Sequence, residues 1–562
     1  MRSSKMMLMV LSLCAMCYPA HAQQPMTVDQ VVDRIVAQEQ AEITSLRQYS
    51  PLVEIYVQQV RPDVNLGTVP NGDQYFLGRA GLSKGIDVEP LSSGAVQKGE
   101  VQKKSAKVSS TTSSLNPLEF LQMIYIDPSE FDRQHYKFDY VGREFVGEVR
   151  CLVLDVSPQA GKETKGSKGQ KNGGGRFLGR IWVEDQGDHI VRFNGAFVGS
   201  STMSSYFHFD SWRVNAGGNQ WLPALIYSEQ GEVRSGAGSQ LGFKAQTRFW
   251  GYNISRNQQE PDLTKVFVEG PAPANNKDAG PSDLSPLQEQ RAYDQQAEDN
   301  VIGRMEKTGL LAPRGEVDKI LETVVNNIEV TNRLDIQPEI QCRVLMTSTL
   351  ESFTIGHTIV LSRGLIDVLP DEATLATMLA VQLAHVVLGH RIDPQYAFFD
   401  RTLFDEKDTF NHFGFARTPD EEQAANAKAA DLLKNSPYGS QLGTAQLFLQ
   451  ALQGRAKEIP NLISPRLGDS VPVNLTIASS VPDVDANAPK TAGSAIVALP
   501  IGGRVKLDPW SDQLEMLKTK PAVGAVAERE KLPFEITPFM LYLTRNGATT
   551  PSQAVATTPA AK

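Results

Sequence analysis

Two histidines, a glutamine and Thr377 interrupt an otherwise apolar stretch, Leu375–His390, which reads LATMLAVQLAHVVLGH. Imidazoles can bind a metal, move a proton or hydrogen-bond inside a core. Their spacing limits which. His385 and His390 stand five positions apart, about 500° around a helix, so they diverge by roughly 140°. From a straight helix they cannot chelate one ion. Positions four apart can, but the residue four before His385 is Val381, which offers no ligand atom. Gln382 shares a face with His385, yet an amide is a poor zinc ligand and no general base. On residue type alone, His385 reads as a hydrogen-bonded core histidine.

The element that positions these groups is a helix apolar on nearly every side, and such a helix is normally buried. It is too short and too interrupted to span a membrane. Around it, residues 286–308 and 314–331 carry helix formers, 341–346 and 357–361 read as strands, and Glu421–Leu433 as another helix. Further upstream, residues 116–256 change character. Runs such as REFVGEVRCLVLDV, RFLGRIWVED and TRFWGYNI predict an antiparallel sheet of six or more strands. The lysine-rich insert between two of them, PQAGKETKGSKGQKNGGG, lacks a phosphate-loop pattern and reads as a hairpin tip. Near the start, Thr27 and Gln30 form a capping box for a helix. Pro51 interrupts it, and a second short helix is expected through Val60.

Composition narrows the class. The chain has 562 residues, which predicts several domains. Arg2 and Lys5, the apolar Met6–Cys17 and the Ala20-His21-Ala22 site predict a cleaved signal peptide and an exported product starting at Gln23. Removing Arg2 and Lys5 from 55 basic residues leaves 53 against 64 acidic ones, a net charge of −11. That disfavours nucleic acid as a partner. No transmembrane segment is expected after signal cleavage. Cys151 and Cys342, far apart, read as two separately buried thiols rather than a disulfide framework. His135, His189 and His208 lack ligand-like spacing and read as structural or surface residues.

Residues 349–390 continue as TLESFTIGHTIVLSRGLIDVLPDEATLATMLAVQLAHVVLGH. Glu351-Ser352-Phe353, Gly356-His357, Gly364-Leu365-Ile366, Asp371-Glu372 and Leu379-Ala380 are similar, element by element, to metallopeptidase family forty-eight, the CAAX prenyl protease and HtpX-like gluzincins. The likeness extends through Glu421–Leu433, about 150 residues in all. The resemblance implies a mainly helical zinc-peptidase-like domain. It also implies that its chemistry is dismantled. The family's H-E-x-x-H falls on Val381, Gln382, Leu383, Ala384 and His385, so the first ligand and the general base are lost. His385 and Glu422 match the surviving ligands, Asn426 replaces an aspartate, and His357 is a possible substitute ligand. A remnant His385–Gln382–Glu422 hydrogen-bond cluster is expected at the old metal position. Separately, RFLGRIWVED followed by HIVRFNG resembles the curved half-barrel sheets of the lipoprotein-carrier superfamily. That resemblance implies an apolar concave face that holds an acyl chain or packs against the helical domain.

The expected architecture is therefore α+β and multidomain. It comprises a signal peptide over 1–22, an N-terminal helical segment over 23–90, a linker over 91–115, a half-barrel-like β domain over 116–256 and a linker over 257–285. A peptidase-like helical domain over 286–467, a small β domain over 468–546 and a disordered tail over 547–562 complete it. The expected function is a non-catalytic binding or scaffold protein of the cell envelope, periplasmic or extracellular, that engages envelope proteins or peptides and holds no cofactor. The alternatives are an active zinc metalloendopeptidase with a non-standard ligand set of His385, Glu422 and His357, and a lipid or lipoprotein carrier that uses the β domain.

Overall fold

The computed structural model describes residues 26–63, 67–91, 116–159, 175–198, 208–230, 233–235, 238–240, 242–252, 286–391, 414–472, 475, 505–508, 512–516, 534–538 and 540–545. The expected signal peptide, both linkers, the lysine-rich hairpin tip and the C-terminal tail lie wholly or almost wholly outside these residues.

Helix α1 (Val28–Leu46) opens the described chain, with the capping box of Thr27 and Gln30 in place. The expected second helix is absent. Residues Leu52–Asp63 form strand β1 instead. LVEIYVQQV suits either period, but its Val, Ile and Tyr content favours a strand, and pairing on both edges decides the matter. Strands β2 (Gly67–Gly81) and β3 (Asp87–Pro90) follow, so a stretch expected to be helical supplies three strands. After α2 (Pro117–Leu121) and a 3₁₀ turn come β4 (Tyr136–Val146), β5 (Val149–Pro158), β6 (Arg176–Glu184), β7 (Ile190–Val198), β8 (His208–Gly217) and β9 (Gln220–Gln230). The hairpin β10 (Val233–Ser235) and β11 (Gly238–Gln240) leads to β12 (Gly242–Trp250).

Ten of these strands make one open antiparallel sheet in the order β3-β2-β1-β12-β9-β8-β7-β6-β5-β4. The closing step is the pairing of β1 with β12, which sets Leu52 opposite Trp250 and Val60 opposite Gly242. Because side chains alternate along each strand, the two faces differ. One face carries Val53, Ile55, Phe177, Phe193, Phe209 and Phe249 into a core with Val32, Ile35, Ile43 and Leu46 of α1 and with Phe120–Ile126. Its aromatic rings interlock, Phe177–Phe193 and Phe193–Phe209 edge to face at 6.0 and 5.9 Å. The expected apolar face is thus filled by its own rings and closed by the N-terminal helix.

The opposite face meets the rest of the chain through apolar and polar groups together: Leu52, Tyr56, Leu77 and Trp250 join the core of the second layer. Glu54 accepts hydrogen bonds from the Ser348 amide and hydroxyl, both at 2.6 Å, and from the Tyr75 hydroxyl at 2.7 Å. Asp73 accepts the amides of Asn461 at 2.9 Å and Leu462 at 2.7 Å.

That second layer contains α3 (Pro286–Thr308), α4 (Glu316–Asn332), β13 (Gln341–Leu345), β14 (Glu351–Ile355), β15 (Thr358–Ser362), α5 (Arg363–Val368), α6 (Glu372–Val387), α7 (Pro419–Lys434), α8 (Leu442–Arg455), α9 (Pro460–Ile463) and β16 (Asp469–Ser470). Its small sheet runs β13-β15-β14-β16, with β13 parallel to β15. Helix α6 is the expected central helix, buried from Ala373 to His385. It packs against α4, α7, α8 and strand β14. The hairpin β17 (Val505–Leu507) and β18 (Leu514–Met516) sends Val505 and Leu514 into the same core. Both described cysteines are buried and unpaired with each other.

Candidate functional site

Helix α6 starts at Asp371, whose carboxylate caps the Thr374 amide at 2.8 Å and takes its hydroxyl at 2.6 Å. Its apolar surface then commits the whole helix to the interior. Besides Thr374 and Thr377, two polar groups travel inward with it, Gln382 and His385, each about 1% exposed.

Gln382 points at strand β14. Its Nε2 donates to Ser352 Oγ at 2.9 Å and lies 3.5 Å from Asp469 Oδ2. Asp469 in turn accepts the Arg417 amide at 2.7 Å. The Arg417 guanidinium reaches back to Thr354 Oγ1 at 2.7 Å. Four segments are therefore tied together: α6, β14, the entry to α7 and β16. Burial pushes the Asp469 carboxyl up to about 6, against the opposing bonds from Arg417 and Gln382. Burial likewise lowers Arg417. Gln382 Oε1 is buried without a hydrogen-bond partner.

His385 turns the other way. Its Nδ1 sits 3.0 Å from Nδ1 of His390, the rings edge to face with centroids 5.1 Å apart. One ring must hold its proton on Nδ1 and the other must accept there. The helix ends between them, so the divergence expected on a straight helix does not apply. The His390 amide bonds the His385 carbonyl at 3.0 Å, and Gly389 takes a φ of +72°. Burial first, then the charges of Arg417 and His390, hold His385 down at about 4. At neutral pH it is an uncharged imidazole.

The remaining candidate residues lie elsewhere. His357 occupies the tight turn between β14 and β15, and its carbonyl accepts the Gln341 amide at 3.0 Å. Burial and the nearby Arg391 lower its pKa. Above that turn sits Glu298 of α3, pressed onto Gly356, where φ is +56° and a Cβ would strike the carboxylate. Burial raises Glu298 to about 7. Val381 packs in the core. Glu422 stands half-buried in the first turn of α7, and burial alone raises it. The acid that acts on His385 is its neighbour Glu421, which also completes the capping box with Thr418. The expected His385–Gln382–Glu422 cluster is thus replaced by two separate networks, Gln382–Ser352–Asp469–Arg417 and His385–His390. Among the described residues, no group of three or more His, Cys, Asp or Glu is placed to hold a metal ion.

Sequence reasoning missed Asp469 and Arg417, the two charges that organise this region. Both lie outside the matched motif, and only the fold brings Asp469 to Gln382. It also missed Glu351 as a buried anchor. One carboxylate oxygen of Glu351 accepts the amides of Arg466, Leu467 and Gly468 at 2.9, 2.8 and 3.1 Å.

Among the described residues, no helix is long and apolar enough to cross a membrane. No family model matches the chain, and no curated protein matches it. Solved structures do. A DUF1329 family protein from Desulfovibrio piger aligns at 12% identity over 40% of this chain and 93% of its own, with a TM-score of 0.20. MucB, in the complex of MucA and MucB from Pseudomonas aeruginosa, aligns at 10% identity over 40% of this chain and 96% of that one, with a TM-score of 0.14. MucB in complex with MucA(peri) aligns at 9% identity over 39% of this chain and 93% of that one, with a TM-score of 0.13. TM-scores this low carry nothing about function. The resemblance to metallopeptidase family forty-eight is not upheld: no family model matches the chain, and the groups laid on a hydrolytic centre are bonded into the framework of the fold.

Proposed function

We propose that this chain is a non-catalytic binding or scaffold protein of the cell envelope that engages envelope proteins or peptides through its large sheet. One observation carries the reading. The sheet already holds an extended segment of polypeptide, residues 540–545, by side-chain seats on its outer face rather than by adding a strand. Leu543 of that segment packs among Val146, Val153, Trp182, Trp212 and Trp221. Next to it the face stays open: Leu178 is 45% exposed, and the Arg180–Asp155 pair at 2.7 Å faces solvent. An exposed, mixed apolar and charged sheet face suits recognition of a polypeptide.

The central helix supports the non-catalytic part. Its buried glutamine cannot take a proton, and its buried histidine is bonded to a second histidine. The N-terminal signal pattern supports export, and the net negative charge disfavours nucleic acid. The filled aromatic core against α1 offers the lipid-carrier alternative no support.

The test uses a permanently unfolded model polypeptide, reduced and carboxymethylated α-lactalbumin. Saturable binding by fluorescence anisotropy, with the polypeptide intact on a gel, is the expected result. Cleavage of the polypeptide, or no binding at all, would overturn the reading.

A further inference from the structure

We infer that the Trp221 end of the sheet's outer face is a docking seat for an extended partner segment of the pattern Leu-x-Leu-x-Arg, and that Leu541–Arg545 of this chain occupies it when the partner is absent. This inference rests on the binding reading above and names the surface and its ligand.

The seat has three parts. The first is apolar. Leu541 and Leu543 turn toward the cluster of Val146, Val149, Val153, Trp182, Trp212 and Trp221, while Met540 and Tyr542 between them point to solvent, 70% and 60% exposed. That is the alternation of an extended chain lying on a surface. The second part is a backbone contact. The Glu148 amide donates to the Leu543 carbonyl at 2.8 Å, and the chain passes so close to Gly147 that a Cβ there would meet the Leu543 amide nitrogen at 2.4 Å. Gly147 also has a φ of +67°, so a side chain is excluded twice over.

The third part selects charge. The Arg545 guanidinium is ion-paired with Glu184 and lies 5.9 Å from the Trp221 ring. The Glu184 side chain is fully buried. Its carboxylate is fixed independently of Arg545, because it accepts the amides of Gln186 at 3.0 Å and Gly187 at 2.6 Å from its own turn. The anion is therefore preformed. Removing the arginine would leave a buried carboxylate without its cation, which is strongly unfavourable. The seat consequently requires a guanidinium or ammonium from whatever lies across it.

The chain's own segment is held in a manner that permits exchange. Residues 540–545 adopt neither helix nor strand. Leu541 and Arg545 are half-buried, so the segment is anchored chiefly by the fully buried Leu543 and the Glu184 pair, and no strand ladder has to break.

The experiment measures binding of a labelled peptide, PFMLYLTRNG, copied from residues 538–547, to the full chain. The variant Arg545→Glu, whose own segment is repelled by Glu184, should bind the probe about tenfold more tightly than the unaltered chain. A probe with glutamate in place of its arginine should lose that affinity. Leu541→Ser serves as a second releasing variant should Arg545→Glu melt early. No gain by either folded variant, or equal binding of the glutamate probe, overturns the inference. If the probe fails while unfolded lactalbumin still binds, the seat falls and the binding reading stands. If neither binds, both fall.

Discussion

Arg213 and Glu39 meet in parallel inside the protein, Nη1 to Oε2 at 2.6 Å and Nη2 to Oε1 at 2.7 Å, with both side chains about 1% exposed. The pair ties α1 to the β8 strand. Arg213 Nη2 also donates to the Ile124 carbonyl at 3.2 Å, so one guanidinium holds three segments. Replacing one partner leaves a buried charge alone. Arg213→Met should lower the unfolding free energy by about 3–5 kcal/mol in urea titration. The double variant Glu39→Leu with Arg213→Met should recover most of that loss. A double variant as unstable as the single one would show that the pair contributes net stability.

The two layers are joined by buried acceptors rather than by apolar surface alone. Asp73 takes two amides of α9 and the Tyr56 hydroxyl at 3.1 Å. Asp73→Ala should cost about 2–3 kcal/mol, because the amides of Asn461 and Leu462 then lose their acceptor. Amide hydrogen exchange should rise first at Asn461 and Leu462, and uniform exchange across both layers would count against this assignment.

Asp469 and His385 should give opposite pH dependences. The folded pKa of Asp469 lies near 6, above its ordinary 3.8. Its contribution to stability is complete below 3.8 and is lost as pH rises through about 6. The folded pKa of His385 lies near 4, below its ordinary 6.5. Its contribution is complete above 6.5 and is lost as pH falls toward 4. Arg417, His390, Glu421, Glu422 and Gln382 act on one or the other of these groups. Asp469→Asn should therefore make stability rise more steeply with pH between 4 and 6 than in the unaltered chain. His385→Leu should tilt the same window the other way. Each tilt is on the order of 3 kcal/mol at most. Chemical denaturation at half-unit pH steps is the measurement, and parallel curves for all three proteins would refute it.

Gln382→Glu places a carboxylate inside α6. It would face Ser352 and the already buried Asp469, so two acids would share one dry site. A loss of about 2–4 kcal/mol is expected, with no peptide hydrolysis gained. Cleavage of a casein substrate by this variant would contradict the framework role assigned to Gln382.

Much of the local structure could be read from sequence. The box at Thr27 and Gln30 and the apolar α6 announced themselves, because capping and all-round hydrophobicity are properties of neighbouring residues. Strand β1 did not. Leu52, Val53, Ile55, Val57 and Val60 satisfy a helical spacing too, and the partner that settles the matter is β12, far along the chain. The candidate site shows the same divide. Gln382 stood out as polar among apolar neighbours. Its meaning depends on Asp469 and Arg417, whose positions only the tertiary fold supplies. The peptidase resemblance failed for a related reason: the run around α6 constrains a buried helix, and a buried helix alone does not specify chemistry.

The register that sets Leu52 against Trp250 has a consequence for biogenesis. The first strand to leave the ribosome finds a permanent neighbour on that edge only about 200 residues later. At about 5–20 residues per second, that is an interval of about 10–40 s. Through that interval the β1 edge is an unsatisfied template open to stray pairing. A hairpin with β2 covers only the opposite edge of β1, so the edge that faces β12 stays open until β12 has been made.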